Sequence, residues 1–191
     1  SRAVRSRRDL RLVNFFMRGE SWILGELGKF SGLKRVVELG AGAGCLGSAV
    51  KRVFSDVEVV CLDLVERPYG VEGGVVWRSG DLFEFDGYDS GTVVVANLFL
   101  HHLEGEDLGR LGGLLEGCLG VLAAEPFRGR VPLVMGRCLF PFVNDVTRHD
   151  MLVSIRAGFC AGELGGLLDD GFLFEESRGV FGGIRVKGVR A

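Results

Sequence analysis

Three acidic residues of this chain lie at or near the ends of three successive apolar runs, and a glycine-rich stretch follows the first run. Glu38 lies in the first run, and Asp63 and Asp81 come after the second and third. The glycines after residue 39 let the backbone turn tightly and let a ligand approach the main chain. A carboxylate at these three places can bind an ammonium group, a pair of ribose hydroxyls and an adenine amino group, in that order. The pattern therefore indicates one extended ligand with a cationic end, a ribose and an adenine.

Such a site needs a parallel sheet whose strands end along one edge. The predicted strands are residues 36–39, 57–62, 75–78, 92–96, 120–124, 172–177 and 183–189. The predicted helices are residues 8–29 (as one or two helices), 44–54, 104–118 and 161–169. Five β-α units closed by a two-strand hairpin are typical of an α/β doubly wound sheet, which binds ligands outside the carboxyl ends of its strands. No repeat or linker divides the chain. We therefore expect a single domain over residues 1–191, with an N-terminal helical segment (1–30) and a lid-like substrate segment (127–160).

The glycine pattern by itself leaves two classes of ligand open. Residues Gly42 to Gly47 also satisfy G-x-G-x-x-G, the fingerprint of dinucleotide-binding proteins. Glu38 distinguishes the two, because a pyrophosphate at a helix N-terminus favours positive potential and no carboxylate nearby. A ligand with a cationic amino-acid end favours an acid there.

Four motifs, in this order, resemble those of class I S-adenosylmethionine-dependent methyltransferases. They are Glu38 to Gly44, Asp63, Gly80-Asp81-Leu82, and Ala96 to Leu103. Segments 125–128, 144–150 and 154–159 are similar to small bacterial methyltransferases. The resemblance implies a Rossmann-like seven-stranded sheet of order 3-2-1-4-5-7-6, with the last strand antiparallel, and S-adenosylmethionine as cofactor. The predicted cofactor-binding residues are Glu38, Gly40, Ala41, Gly42, Gly44, Asp63, Leu64, Gly80, Asp81, Leu82, Asn97 and Leu98.

Methyl transfer needs alignment of the reactants and, for some acceptors, the removal of one proton. The candidate bases are His101, His102 and His149, since an unperturbed histidine pKa near 6.5 suits this task. As alternatives, the first two can cap a helix or bind backbone, and His149 can belong to a salt-bridge cluster with its neighbours. The arginines at 128, 137, 148 and 156 can bind a carboxylate, phenolate or phosphorylated acceptor, or can be solvated surface. We take Arg128, Arg148 and Arg156 as the substrate-binding candidates.

Composition and absent motifs narrow the class of protein. A net charge of −2 argues against a nucleic-acid binder. Five arginines lie in residues 1–11, and they can be the solvated start of a helix or can contact an acidic partner or a membrane surface. Five scattered cysteines without C-x-x-C fit neither a disulfide framework nor a zinc site, and they suit a cytoplasmic location. No transmembrane segment and no metal are expected. Asn97 is not followed by Pro-Pro-aromatic, which disfavours methylation of adenine or glutamine nitrogen, and no Pro-Cys is present to attack cytosine.

The sequence therefore predicts methyl transfer to a small-molecule acceptor, most simply at oxygen. An NAD(P)-dependent oxidoreductase remains an alternative because of the overlapping glycine fingerprint, although a Tyr-x-x-x-Lys pair is missing. A non-catalytic module that keeps the cofactor site is the second alternative. The oligomeric state is not indicated by any pattern.

Overall fold

The structure is a computed structural model that describes residues 17–138, 140–168, 171–179 and 182–190. The basic residues 1–11 and the start of the predicted first helix lie outside these ranges. The strands are β1 (Arg35–Leu39), β2 (Glu58–Asp63), β3 (Val75–Ser79), β4 (Thr92–Asn97), β5 (Gly120–Pro126), β6 (Phe172–Arg178) and β7 (Gly183–Arg190). The helices are α1 (Gly19–Leu27), α2 (Cys45–Val53), α3 (Gly105–Leu115), α4 (Arg130–Cys138), α5 (Asp145–Ala157) and α6 (Glu163–Leu168), with single 3-10 turns at Leu82–Glu84, Leu100–His102 and Phe140–Phe142.

The seven strands form one sheet in the order β3-β2-β1-β4-β5-β7-β6. Strands β1 to β5 are parallel, and β7 is antiparallel to both β5 and β6. The predicted order and the antiparallel last strand are confirmed. Leu39 is level with Leu62 and Ala96, so the residues that follow β1, β2 and β4 meet at one edge. The chain order changes direction between β1 and β4, which is where such sheets bind ligands.

Helices cover both faces of the sheet because alternate residues of each buried strand point to opposite sides. On one face, Val36 of β1 packs in a cluster with Ile23 and Leu27 of α1. On the other face, Val37 packs in a cluster with Leu108 and other apolar residues of α3. The near-continuous apolar runs of the central strands thus fit strands buried on both faces.

Residues 127–160, expected as an irregular lid-like segment, form the two helices α4 and α5. Asn144 caps α5, since its side chain accepts a hydrogen bond from the backbone N–H of Thr147 (3.1 Å). Pro132 lies in the first turn of α4, where a missing N–H costs no helical hydrogen bond. The ends of the segment meet: the Phe159 N–H donates to the Pro126 carbonyl (3.0 Å) and the Arg128 N–H to the Phe159 carbonyl (2.9 Å).

Gly19 lets the first turn of α1 rest directly on the ends of β4 and β5. A Cβ at this position would lie within 2.9 Å of both Asn97 Oδ1 and Ala124 Cβ. We expect Gly19→Ala to lower the free energy of unfolding by about 1–3 kcal/mol, because the helix has to move off the strand ends. Gly25→Ala in the same helix is the matched control: a Cβ there meets nothing within 4 Å. The control should be neutral or stabilising by up to about 1 kcal/mol. Urea unfolding of both variants measures the difference, and equal effects would contradict the contact.

Candidate functional site

The glycine stretch after β1 makes a tight bend that ends at the start of α2. Gly40, Gly42 and Gly44 all have positive φ, at 63°, 54° and 68°, a region that side chains with a Cβ rarely adopt. The bend is tied to the next strand, because the Gly42 N–H donates to Asp63 Oδ2 at 2.6 Å. Sequence and structure agree that only glycine suits these turns.

Glu38 is buried beneath this bend. Its Oε2 accepts hydrogen bonds from the N–H of Gly47, in the first turn of α2, at 2.8 Å and from Cys61 Sγ at 3.2 Å. The pKa of Glu38 is raised to about 7, chiefly by burial; the two hydrogen bonds act in the opposite direction, and the negative charges of Glu20 and Asp63 add to the rise. The carboxyl group therefore changes its charge near neutral pH.

Asp63 and Asp81 lie on neighbouring strand ends, as predicted. Asp63 is half-buried and also accepts from the Val65 N–H (3.1 Å), while exposed Asp81 accepts from the Phe83 N–H (3.0 Å) and so caps the 3-10 turn. Asp63 is level with Ser79 in the sheet, two residues before Asp81. Leu82 is buried, whereas the Leu64 side chain is 81% exposed beside Asp63. The acidic residues thus line a continuous edge from β1 to β3.

The loop after β4 is fixed by contacts with β5. Leu98 has a positive φ of 58°, and its N–H donates to the Ala124 carbonyl at 2.8 Å. Asn97 is half-buried at the end of β4, beneath the first turn of α1. Residues other than glycine are uncommon in this left-handed conformation, and such backbone strain is often found at functional sites.

His101 is held in a buried hydrogen-bond network around Glu125. Glu125 Oε2 lies 2.7 Å from His101 Nδ1, and Oε1 accepts from the backbone N–H groups of Phe99 and Leu100, both at 2.8 Å. Both side chains are buried, Glu125 completely. A carboxylate with these partners acts as an acceptor, so we assign the ring proton to Nδ1. This leaves the Nε2 lone pair free to accept a proton, and among the described residues Nε2 has no hydrogen-bond partner although it is buried.

The exposed His102 side chain lies against the buried pair of His101 and Glu125. Its ring centroid is 4.1 Å from that of His101, and burial, followed by the charge of His101, lowers the pKa of His102. The neighbouring helix α5 packs on the turn that carries both histidines. His149 also belongs to α5, but its side chain is exposed. The structure thus orients His101 much more strictly than the other two candidates.

Two of the three candidate arginines already have carboxylate partners. Arg128 Nη2 binds both oxygens of Glu163, at 2.8 and 2.6 Å. Arg148 binds Asp145 at 2.8 Å and the Phe140 carbonyl at 2.9 Å. Arg156 is exposed near the end of α5. An anionic acceptor that binds Arg128 or Arg148 would therefore have to replace the carboxylate already bound there.

Sequence reasoning missed three residues of this site: Glu20, Phe99 and Glu125. Glu125 carried a usable signal, because it is an acid at the end of an apolar strand, as Asp63 is. Phe99 lies within the motif Ala96 to Leu103, but nothing singled it out there, and Glu20 carried no signal, since the places of both depend on how α1 and the loop after β4 fold back on the sheet.

Within the described residues, no group of three or more His, Cys, Asp or Glu side chains is arranged to hold a metal ion. Over the same ranges, no helix is long and apolar enough to cross a membrane. All five cysteines are free, and Cys45, Cys138 and Cys160 are exposed.

The strand order and the bend after β1 are those of the fold of class I S-adenosylmethionine-dependent methyltransferases, which confirms the fold that the resemblance implies. Comparison with protein-family models gave no match. Among curated proteins, acetylserotonin O-methyltransferase 1 of Oryza sativa subsp. japonica is 28% identical over 107 residues, 55% of this chain. That match spans 28% of the rice protein, less than a third of its length.

Two solved methyltransferases have the same fold. The plantazolicin methyltransferase BpumL in complex with SAH superposes with a TM-score of 0.74 at 10% identity, over 98% of this chain and 88% of that one. Human N-acetylserotonin methyltransferase in complex with SAM superposes with a TM-score of 0.61 at 15% identity, over 100% of this chain and 57% of the human one. The sheet, its helices and its closing hairpin are thus those of this fold.

Proposed function

We propose that this chain transfers a methyl group from S-adenosylmethionine to an oxygen atom of a small-molecule acceptor. The observation that carries the proposal is the group of carboxylates around the glycine bend. Glu20, Glu38 and Asp63 lie close enough for the first and third to raise the pKa of the second. A cationic amino-acid end and a ribose fit such a group of acceptors, since carboxylates accept hydrogen bonds from ammonium and hydroxyl groups. The curated relative is itself named an O-methyltransferase.

Asp63 has the geometry to bind a ribose. A carboxylate has about four acceptor positions, and backbone N–H groups of Gly42 and Val65 use one on each oxygen. The side chain is half exposed, which supports the use of the remaining positions by ribose hydroxyls. Leu64 lies beside Asp63, and Asp81 and Leu82 follow the next strand along the same edge, so we propose that these three residues bind the adenine.

When bound, S-adenosylmethionine supplies a methyl group on a sulfonium: the acceptor oxygen forms a C–O bond with it as the C–S bond breaks, and the electron pair of that bond stays on the sulfur of S-adenosylhomocysteine. The protein has to hold the acceptor in line and remove its proton. We propose that His101 Nε2 takes this proton. Glu125 positions the ring and stabilises the imidazolium that forms, and His102 borders the same turn.

We further propose that residues 1–191 act as one domain and that segment 127–160 binds the acceptor. Its helix α5 packs on the turn that carries His101, and the two ends of the segment are joined by backbone hydrogen bonds. Arg156 is the best placed of the arginines for an anionic or phenolic acceptor, because its side chain is exposed on α5. Exposed free thiols suit a reducing compartment, so we propose the cytoplasm.

The alternative of NAD(P) binding is disfavoured by the bond between Glu38 and Gly47. A pyrophosphate at this helix would need the N–H groups of the first turn of α2, yet the Gly47 N–H is already bound by a buried carboxyl. Thermal shift measurements with S-adenosylhomocysteine and with NAD(P) compare the two ligands directly. Stabilisation by NAD(P) alone would overturn the methyltransferase proposal.

Asp63→Ala tests the proposed ribose contact. We expect the affinity for S-adenosylhomocysteine to fall by about 1–3 kcal/mol, or roughly 5- to 150-fold in Kd, because the ribose hydroxyls lose their partner and the glycine bend loses its tie to β2. Asp56→Ala is the matched control, since exposed Asp56 precedes the opposite end of the same strand. Isothermal titration measures both variants. Equal affinity in the wild type and in Asp63→Ala would remove Asp63 from the site.

A further inference from the structure

The aromatic ring of Phe99 lies on the first glycine of the bend after β1. A Cβ built on Gly40 would fall within 2.6 Å of three atoms of that ring. The ring is therefore in contact with the backbone itself, which any larger residue at position 40 would prevent. Gly40 is thus required twice, for its positive φ of 63° and for this contact.

The backbone on either side of this ring is anchored. The N–H of Phe99 donates to the buried Glu125 carboxyl, and the preceding Leu98 is held in the left-handed conformation by its bond to Ala124. Both anchors come from β5, so the backbone that carries the ring is held independently of the bend, and the ring itself packs against Gly40. A rigid wall rather than a loose side chain results.

The Phe99 ring also lies near the turn that carries the histidines. The centroids of the Phe99 and His102 rings are 6.4 Å apart, and the Phe99 side chain is only partly buried. Phe99 therefore touches the proposed cofactor bend and lies near His102, whose ring in turn lies 4.1 Å from that of the proposed base His101. If the bend holds the cofactor, an alkyl group on the cofactor sulfur would lie close to this ring on its way towards an acceptor near His101.

We propose that Phe99 sets the size of the alkyl group that the site accepts on the cofactor sulfur. The proposal rests on the proposed binding of S-adenosylmethionine. The acids are proposed to bind the ammonium group, the ribose and the adenine, so the alkyl group on the sulfur is left for Phe99. A rigid aromatic wall leaves room for one carbon. A shorter side chain opens a space beside the sulfur.

The wild-type protein should therefore bind S-adenosylethionine, which has one additional methylene, about 10- to 200-fold more weakly than S-adenosylmethionine. In Phe99→Ala this preference should fall to about one tenth of the wild-type value or less. Phe99→Leu should give an intermediate ratio. S-adenosylhomocysteine, which has no alkyl group to place, reports any loss of affinity that is common to all ligands of the bend, and the ratio of the other two affinities within each protein is independent of that loss.

Isothermal titration of the purified proteins with the three compounds tests the proposal without an acceptor. Phe174→Ala is the control, because this partly buried phenylalanine packs at the far edge of the sheet on Gly165 and Gly188. It should keep the wild-type preference. An unchanged preference in both Phe99 variants, with normal S-adenosylhomocysteine binding, would overturn the role of Phe99 alone. Failure of the wild type to bind S-adenosylhomocysteine would instead overturn the proposed function. If Phe99→Ala does not fold, Phe99→Leu decides by the same ratio.

Discussion

Glu125→Ala is expected to destabilise this protein by about 3–5 kcal/mol, since it leaves several buried polar groups without a partner at once. The carboxyl group accepts from two backbone N–H groups and contacts His101 Nδ1, and its side chain is completely buried. No water can easily replace it at full depth in the core. Urea unfolding followed by circular dichroism measures the loss. Glu116→Ala, at an exposed residue after α3, is the control and should change stability by less than about 0.5 kcal/mol.

Glu125→Gln separates the structural role of this side chain from its effect on His101. The glutamine oxygen can still accept from Phe99 and Leu100, so the cost should be smaller, about 1–2 kcal/mol. The glutamine NH₂ then faces His101 Nδ1 and donates to it, which moves the ring proton to Nε2. Long-range ¹H–¹⁵N NMR spectra report this change of tautomer. A His101 ring that keeps its proton on Nδ1 in the variant would show that Glu125 does not control the tautomer.

The sheet was predictable because its signals are local. Each central strand is a short apolar run, and an acid at the end of a run marks the edge where parallel strands meet, as Asp63 and Asp81 do. The glycine bend was predictable for the same reason, since backbone turns with positive φ select glycine residue by residue. The contribution of the resemblance was the strand order, which periodicity does not determine.

The contacts that complete the site are not local, and the sequence did not indicate them. Gly19 meets Asn97 across 78 positions of the chain. Glu125 meets His101 across 24 positions. Phe99 meets Gly40 through the packing of two loops. Each pairing depends on how far one backbone lies from another, and neither composition nor periodicity contains that distance.

The helices α4 and α5 show a different limit. Two prolines and a dense set of arginines obscured the helical pattern of residues 127–160. A proline in the first turn is compatible with a helix, and Arg148 binds Asp145 three residues before it. The arginines that suggested an acceptor pocket are thus partly explained by stabilisation of the helices. Their role towards an acceptor stays a prediction.

The affinity for S-adenosylhomocysteine should rise with pH around neutrality, because Glu38 is the buried acid nearest the bend. Its pKa in the free protein is raised to about 7, so the carboxyl group is mostly neutral at pH 6 and mostly ionised at pH 8. A cationic amino group binds the ionised form better. If only that form binds, Kd should be about tenfold lower at pH 8 than at pH 6, and the proton released on binding at pH 6 should be almost absent at pH 8. Isothermal titration in buffers of different ionisation enthalpy measures both quantities.

The same raised pKa fixes the sign of a stability change in the absence of ligand. Between pH 4.5, the ordinary value for this group, and about 7, the folded state binds more protons than the unfolded state. The free energy of unfolding should therefore fall as pH rises through this range. Glu38→Gln can still accept from Gly47 but does not titrate, so both pH dependences should flatten in this variant. Equal slopes in the two proteins would mean that another group binds the proton, and Glu38 would then not be the acid that meets the ammonium.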